Sequence, residues 1–161
     1  MSPKSLLRHK LAVSDLQELA GGAFQTVIGE IDELLPDAQI RRVVLCSGKV
    51  YYDLLQKRRD ENRRDIAIIR VEQLYPFPQK AVAAELARYP NANIVWCQEE
   101  PRNQGAWRQI YEWLAPTLPA NKKPQYIGRA ASASTAAGYL KMHNAEQAAL
   151  VRDALGITEK Q

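Results

Sequence analysis

The sequence has few of the side chains that usually carry catalysis or bind metals. Its 161 residues include two cysteines, Cys46 and Cys97, and two histidines, His9 and His143. Each cysteine lies inside an apolar run without a CxxC partner or a nearby histidine, which argues against a zinc site or a redox disulfide. The histidines lie near opposite ends of the chain, away from any serine or cysteine motif that would make either a general base. We therefore predict no catalytic, cofactor-binding or metal-ligating residue in this chain.

Long apolar runs are also missing. No stretch reaches the roughly 18 apolar residues that a membrane-spanning helix needs, and the first residues lack the apolar core of a signal peptide. Two isolated cysteines that match no disulfide framework are typical of proteins whose thiols stay reduced. The sequence therefore predicts a cytoplasmic protein that does not associate with a membrane.

The chain has a small excess of positive charge, and its formal net charge at pH 7 is +4. A basic face can attract nucleic acid. However, the densest basic segment, residues 56–65, interleaves five basic side chains with three acidic ones. Mixed signs at this spacing are typical of a solvated helix end, so no nucleic-acid partner is predicted.

From residue 41 onward, strand patterns alternate with helix patterns. Continuous apolar runs, typical of strands buried on both faces, occupy residues 41–47, 65–71 and 92–98, and a shorter run occupies 124–129. Helical patterns occupy residues 48–63, 79–90, 107–114 and 144–155. The alternation predicts an α/β domain, with a doubly wound, mainly parallel sheet and helices on both faces.

The regular pattern sets the expected domain boundaries. Residues 1–40 form a lead-in that we expect to lie on a surface, residues 41–156 form the α/β domain, and residues 157–161 form a fraying tail. Ser14 is predicted to cap a short helix in the lead-in, and Asn144 to cap the last helix.

The loops that follow the strands are the expected ligand sites, because doubly wound sheets bind ligands at the carboxyl ends of their strands. These loops begin at Ser47, Glu72, Glu99 and Arg129. The turn "CSGK" could hold a phosphate at a helix N-terminus, but one glycine matches no dinucleotide or P-loop motif, so an ordinary strand-to-helix turn is favoured. Arg129 precedes a loop of small residues that could form an interface, bind an anion or face solvent.

Two further stretches invite a functional interpretation. In "YPFP", proline holds Tyr75 and Phe77 on a stiff turn, which is either an interface anchor or a tucked-in turn. In "VWCQEEPRNQGAW", residues 95–107, Glu99 and Glu100 could be a general acid and base. Adjacent side chains on an extended backbone point to opposite faces, which argues against that pair and favours a strand-to-helix junction.

At these loops the sequence resembles a known family. The segments "RRVVLCSGKVYYDL", "IAIIRVEQLYPFP", "WCQEEPRNQGAW", "GRAASASTAAGY" and the initial "SPKSLLRHKLAVSD" look like the carboxyl-terminal domain of the thiamine-dependent decarboxylating component of 2-oxoglutarate dehydrogenase. The likeness covers nearly the whole chain, and five motifs are far more specific than one.

This resemblance implies a transketolase C-terminal-like fold within a longer polypeptide, with residues 1–9 as a strand end and exit loop of the preceding domain. In that family the full component binds thiamine diphosphate and Mg²⁺, decarboxylates 2-oxoglutarate and succinylates the lipoyl carrier of the complex. The family's thiamine-binding GDG motif is absent here, so this segment is expected to bind neither cofactor.

The implied role is assembly and dimerisation. Expected partners are the upstream domains, a second copy of the full component and the lipoyl-bearing acyltransferase. The interface or effector candidates are Ser47, Glu72, Tyr75, Glu99, Glu100, Asn103, Gln104, Trp107 and Arg129. An alternative from the residues is an independent binding module that holds an anionic nucleotide or acyl-coenzyme A near Ser47 and Arg129.

Overall fold

A computed structural model describes residues 3–157 of the chain. This part contains five strands: β1 (Val27–Ile28), β2 (Arg42–Cys46), β3 (Ile66–Val71), β4 (Asn93–Cys97) and β5 (Gln125–Ile127). Its five α-helices are α1 (Leu16–Gly21), α2 (Val50–Asp60), α3 (Gln79–Ala87), α4 (Trp107–Leu114) and α5 (Leu140–Ala154). Three short 3-10 helices span Lys4–Leu6, Asp37–Gln39 and Ala115–Thr117.

The strands form one sheet in the order β1-β3-β2-β4-β5. Four of them run parallel, so that Val44 of β2 pairs with Ile68 of β3 on one side and with Val95 of β4 on the other. β1 is antiparallel to β3 at the sheet edge. This topology confirms the predicted doubly wound, mainly parallel α/β fold.

The sheet is buried on both faces, as the unbroken apolar runs of its strands require. Side chains alternate along each strand, so one face packs against α3 and α4 and the other against α2 and α5. Leu54 of α2 and Ile110 of α4 are both completely buried. Burying a side chain of this size stabilises the fold by about 1.5–3 kcal/mol. No helix within the described residues is long and apolar enough to span a membrane.

Two predicted helix caps are wrong. Helix α1 is capped by Asp15 instead of Ser14, because Glu18 reaches back to accept the N–H of Asp15 at 3.3 Å. Helix α5 begins at Leu140, one turn before the predicted cap Asn144. No glycine or proline follows Gly138 in this stretch, so the backbone continues helically through residues 140–143.

Residues 3–39, called the N-terminal arm below, are more closely joined to the domain than a surface lead-in. The arm contributes β1, which the sequence pattern did not reveal, and its Thr26 carbonyl accepts the N–H of Glu72 at 3.0 Å. The strand end expected at the chain start is instead a 3-10 helix over Lys4–Leu6. Of the predicted tail, residues 157–161, only Ile157 is among the described residues.

The charged segment 56–65 is not a fully solvated helix end, because the Arg58 side chain is 1% exposed. Its guanidinium forms an ion pair with Glu30 of the arm and donates to Asp32 Oδ2 at 2.8 Å. The prediction is therefore wrong at Arg58. Its partners come from the arm, far back in the sequence, so the local charge pattern could not reveal them.

The Arg58–Glu30 pair also completes the edge of the sheet. Arg58 donates to the carbonyl of Ile66 at 2.9 Å, and Glu30 Oε2 accepts the N–H of Ile68 at 2.8 Å. These backbone groups lie on β3 beyond the two residues that β1 pairs. The ion pair thus supplies hydrogen bonds that the short β1 does not reach.

Helix α5 ends in a well-satisfied C-terminal turn. Gly156 has a φ of +58°, and the N–H of Ile157 donates to the carbonyl of Arg152 at 3.0 Å, as in a Schellman motif. Arg42 of β2 donates to two carbonyls of this turn, those of Asp153 and Ala154, at 2.8 and 3.0 Å. The end of α5 is therefore fixed to the amino end of β2.

Replacing Arg42 with methionine is expected to lower the free energy of unfolding by about 1–2 kcal/mol, because two helix-end carbonyls lose a charged donor while the apolar stem is kept. Urea denaturation measures this difference. Arg64→Met is the matched control, since Arg64 is exposed and its carbonyl contact is 3.5 Å long. Equal effects of the two substitutions would contradict the capping role of Arg42.

Candidate functional site

The strand order places the switch point of the sheet between β2 and β4. After β2 the chain crosses to β3 on one side, and it then returns to β4 on the other side. Ligands of doubly wound folds bind in the crevice beside such a point. The loop from Ser47 to Lys49 and the loop that begins at Gln98 border this crevice.

Internal ion pairs occupy the crevice. Lys49 Nζ lies 2.6 Å from Asp53 Oδ2 and 3.2 Å from Glu99 Oε1, and Gln147 of α5 donates to Asp53 Oδ2 at 2.8 Å. Burial acts to lower the pKa of Lys49, but the hydrogen bond to Asp53 and the charge of Glu99 outweigh it and raise this pKa. Lys49 therefore stays charged and is neutralised by the protein itself.

Arg129 has a similar position at the end of β5. Its guanidinium donates to Glu146 Oε2 at 2.8 Å, to Gln147 Oε1 at 3.1 Å and to the carbonyl of Glu99. His143 Nδ1 lies 3.4 Å from the same guanidinium. The side chain of Arg129 is 14% exposed. A phosphate at this end of the sheet would have to displace these partners, so the geometry does not favour the independent effector-binding module.

Gln98 organises the junction at residues 95–107, and the sequence interpretation missed it. Its side chain is buried, and its Oε1 accepts the indole N–H of Trp96 at 3.0 Å and the backbone N–H of Trp107 at 2.9 Å. Its Nε2 contacts three carbonyl oxygens of the loop, those of Gln104 at 2.8 Å, Glu100 at 3.2 Å and Pro101 at 3.3 Å. One amide therefore holds the loop between β4 and α4.

Gly105 is required at this junction for two reasons. Its φ is +64°, a conformation that other residues adopt at a cost. A Cβ at this position would also lie 2.8 Å from Gln98 Nε2. The close approach of backbone to the Gln98 amide thus explains the glycine in "NQGAW".

Asn103 and Gln104 hold the loop of small residues at 130–138. Asn103 donates to the carbonyl of Ser132 at 2.9 Å and accepts the N–H of Ser132 at 3.0 Å. Gln104 Nε2 donates to the same carbonyl at 3.2 Å. Beside this loop lies a cavity of about 470 Å³. It is bordered by Pro101, Arg129, Met142, Glu146 and the small residues between them.

The remaining predicted positions are spread over the same end of the sheet. Glu100 is exposed, whereas Trp107 is buried and packs with its ring centroid 5.4 Å from that of Tyr126. Glu72 accepts a hydrogen bond from Arg70 at 2.9 Å. Tyr75 is 74% exposed, so it does not tuck into the domain. The candidates therefore divide into supports of the loops and one exposed aromatic.

The hydroxyl of Tyr126 joins two of these loops. Its oxygen lies 3.1 Å from the carbonyl of Glu100 and 2.9 Å from that of Arg129. Burial raises the pKa of Tyr126 to about 12, so the hydroxyl keeps the proton with which it donates. Arg102 adds a backbone hydrogen bond to the carbonyl of Arg129 at 3.1 Å.

The two cysteines face each other across neighbouring strands. Cys46 of β2 is the register partner of Cys97 of β4, and both are buried free thiols. Burial raises the pKa of Cys97 to about 12 and raises that of Cys46 as well. A thiol that stays protonated is a poor nucleophile and a poor metal ligand. The pair therefore acts as part of the core.

The described residues do not offer the donor set of a divalent metal. Between residues 3 and 157, no group of three or more histidine, cysteine, aspartate or glutamate side chains is placed to hold a metal ion. The carboxylates nearest the crevice, Asp53 and Glu99, are both paired with Lys49.

Comparison with known proteins identifies close relatives of the chain. Residues 13–155 match the family described as "2-oxoglutarate dehydrogenase C-terminal". A 2-oxoglutarate dehydrogenase E1 component from Haemophilus influenzae is 58% identical over 156 residues, which cover 96% of this chain and 17% of that protein. The proteins of the same name from Cupriavidus necator and Azotobacter vinelandii are 54% and 52% identical, with 16% and 17% of their lengths covered. The chain thus spans about a sixth of these relatives.

Proposed function

The chain belongs to the 2-oxoglutarate dehydrogenase C-terminal family, and we propose that it serves as the carboxyl-terminal domain of the decarboxylating component of 2-oxoglutarate dehydrogenase. In this proposal the whole component uses thiamine diphosphate and Mg²⁺ to decarboxylate 2-oxoglutarate and passes the succinyl group to the lipoyl carrier of the complex. The family match over residues 13–155, together with 58% identity over 156 residues to the Haemophilus influenzae relative, carries the proposal. The role of the domain itself is assembly.

The proposed partners are the upstream domains of the same polypeptide, and the N-terminal arm is the surface that supports this choice. Apolar side chains that are 71% to 83% exposed occur along it: Leu7, Val13, Leu16, Leu19 and Phe24. A concentration of exposed apolar side chains usually marks a contact with another protein surface. The Arg58–Glu30 pair anchors the end of the arm that follows these side chains to the α/β domain.

Further exposed apolar side chains occur after β3 and after β5, which lie on opposite sides of the sheet. Tyr75, Tyr139 and Leu140 are 74%, 79% and 75% exposed. They support the proposed contact with a second copy of the component or with the lipoyl-bearing acyltransferase. We also propose the boundaries expected from the sequence: a lead-in at 1–40 that adds β1 to the edge of the sheet, the α/β domain at 41–156, and a tail at 157–161.

The assembly role can be tested with the Haemophilus influenzae relative. Its part outside the matched segment is co-expressed with this chain, and both co-purification and 2-oxoglutarate decarboxylation are measured. We expect the chain to co-purify and to restore activity that the truncated relative lacks. If activity with this chain equals activity without it, the assembly role is wrong.

A pair of variants tests the arm itself. Leu16→Glu with Leu19→Glu should abolish co-purification, because carboxylates replace exposed apolar side chains at a contact that excludes water. Gln79→Glu with Gln109→Glu adds the same charge at exposed polar positions outside the arm and should leave co-purification unchanged. If the arm variant still co-purifies, the contact with the upstream domains lies on a surface other than the arm.

Thiamine diphosphate with Mg²⁺ is expected to leave the Tm of this chain unchanged. A ligand that binds only the native state stabilises it by an amount that rises with ligand concentration, and residues 3–157 do not provide a group of three or more side-chain donors for the metal. Differential scanning fluorimetry with millimolar cofactor measures the shift. A rise in Tm that grows with cofactor concentration would show that this segment binds the cofactor and would contradict its assignment to the upstream domains.

A further inference from the structure

A second site lies at the amino end of the sheet, away from the loops described above. A hollow of about 480 Å³ opens between the carboxyl end of α3, the start of β4 and the 3-10 turn after α4. Its lining is mostly apolar, from Ala83, Leu86, Ala87, Ile94, Leu118 and Pro119. Leu86, Ile94 and Leu118 belong to the core under α3 and α4, so the hollow opens that core to solvent.

Lys122 provides the charge at the rim of this hollow. Its ammonium donates to the carbonyls of Pro90 at 2.5 Å and Ala92 at 2.9 Å. No carboxylate within residues 3–157 forms an ion pair with it, in contrast to Lys49 and Lys57, which both have one. An ammonium has three donors, so one N–H of Lys122 remains for a further acceptor. The site therefore combines an apolar hollow with a positive charge that the protein does not neutralise.

We propose that this hollow binds a small monocarboxylate whose apolar body fills the space and whose carboxylate accepts a hydrogen bond from Lys122. Ligand sites of this size are typically apolar with a few polar groups that fix orientation. A charge-assisted hydrogen bond is about twice as strong as a neutral one, so a carboxylate is favoured over an alcohol. An organic cation is repelled by the ammonium. The site lies at the opposite end of the strands from Lys49 and Arg129, so it does not depend on the assembly role.

Isothermal calorimetry on the 161-residue chain tests the proposal with octanoate, 1-octanol and octylammonium as probes. Octanoate should bind saturably with a Kd of about 1 mM or tighter. It should bind about tenfold more tightly than octanol, and octylammonium should not bind. Amide shifts in nuclear magnetic resonance spectra should locate octanoate at Ala87 and Leu118.

Three variants separate the charge from the cavity. Lys122→Gln removes the charge but keeps an N–H donor on a shorter side chain, and it should weaken octanoate about tenfold while leaving octanol unchanged. Lys122→Arg should keep the preference for octanoate. Ala83→Leu fills the hollow and should abolish binding of both probes, whereas Ala84→Leu, on the exposed side of the same helix, should abolish neither.

Several results would overturn the proposal. If octanoate does not bind saturably at millimolar concentration, the hollow is not a monocarboxylate site. If octanol binds as tightly as octanoate, Lys122 does not contribute to recognition. If Ala83→Leu binds octanoate as tightly as the unmodified chain, or if the amide shifts lie away from the hollow, octanoate binds somewhere else on the protein. Circular dichroism and Tm measurements confirm that each variant is folded before it is compared.

Discussion

Substitution of Arg58 by methionine is expected to lower the free energy of unfolding by about 3–5 kcal/mol, a large part of the stability of an ordinary domain. Methionine replaces the apolar stem but leaves the side chain of Glu30, which is 5% exposed, without its charged partner. It also removes the donor to the carbonyl of Ile66. A buried charge without a partner is among the most costly defects in a folded protein. Equilibrium denaturation in urea measures the loss.

Two further variants identify the cause. Arg59→Met removes an ion pair with the same Asp32, but Arg59 is 38% exposed, and the expected loss is below about 1 kcal/mol. Glu30→Gln combined with Arg58→Met removes both charges and keeps an acceptor for the N–H of Ile68. The double variant should therefore be more stable than Arg58→Met alone. A double variant less stable than Arg58→Met would show that the buried charge is not what destabilises the single variant.

This pair also shows where reasoning from the sequence ends. The charge pattern of residues 56–65 indicates which side of α2 can face water. It carries no information on the arm, which packs against α2 although it lies about 30 residues earlier in the sequence. Glu30 and Asp32 are part of an ordinary acidic stretch until the fold places them against Arg58. Contacts between distant segments depend on topology, and the two-residue strand β1 is too short to be detected from its own residues.

The sheet itself could be predicted because its signal is local. A strand buried on both faces is apolar along most of its length. The runs predicted at 41–47 and 92–98 correspond to the strands Arg42–Cys46 and Asn93–Cys97. Helix ends were less accurate, as α5 shows, because several residues near an end can satisfy the first free N–H groups. The core of the fold was therefore predictable and its boundaries were not.

The candidate site was predictable in its place and not in its chemistry. Parallel strands bring their carboxyl ends to one edge, so the loops at Ser47, Glu99 and Arg129 had to be neighbours. Whether their charges would be free or paired depends on side chains from helices, above all Asp53 and Gln147. Gln98 was missed because it follows an apolar run, where a polar residue looks like the end of a strand instead of a buried hydrogen-bonding centre.

Gln98→Glu is expected to destabilise the domain by about 3 kcal/mol at pH 7, although the two side chains have the same shape. The oxygen that replaces Nε2 would face the carbonyl oxygens of Gln104, Glu100 and Pro101 at 2.8 to 3.3 Å. These contacts would become repulsive, and the loop would lose the two N–H donors of Nε2. Chemical denaturation of the variant and of the unmodified chain gives the difference.

The destabilisation by Gln98→Glu should depend on pH in a defined direction. Burial and the surrounding carbonyls raise the pKa of the introduced carboxyl in the folded state above its unfolded value of about 4.3. Between the two values the folded state holds more protons, so the stability of the variant relative to the unmodified chain falls as the pH rises. Below the unfolded pKa the protonated acid can donate to the carbonyl of Gln104, and the difference should be smallest.

Gln109→Glu separates this effect from a general change in charge. Gln109 is exposed on α4, so the same substitution there should alter the stability by no more than about 0.5 kcal/mol at any pH. The contrast isolates the buried amide, because both variants add one carboxylate to the same part of the chain. A Gln98→Glu variant as stable as Gln109→Glu at pH 7 would mean that the junction between β4 and α4 does not depend on the Gln98 donor.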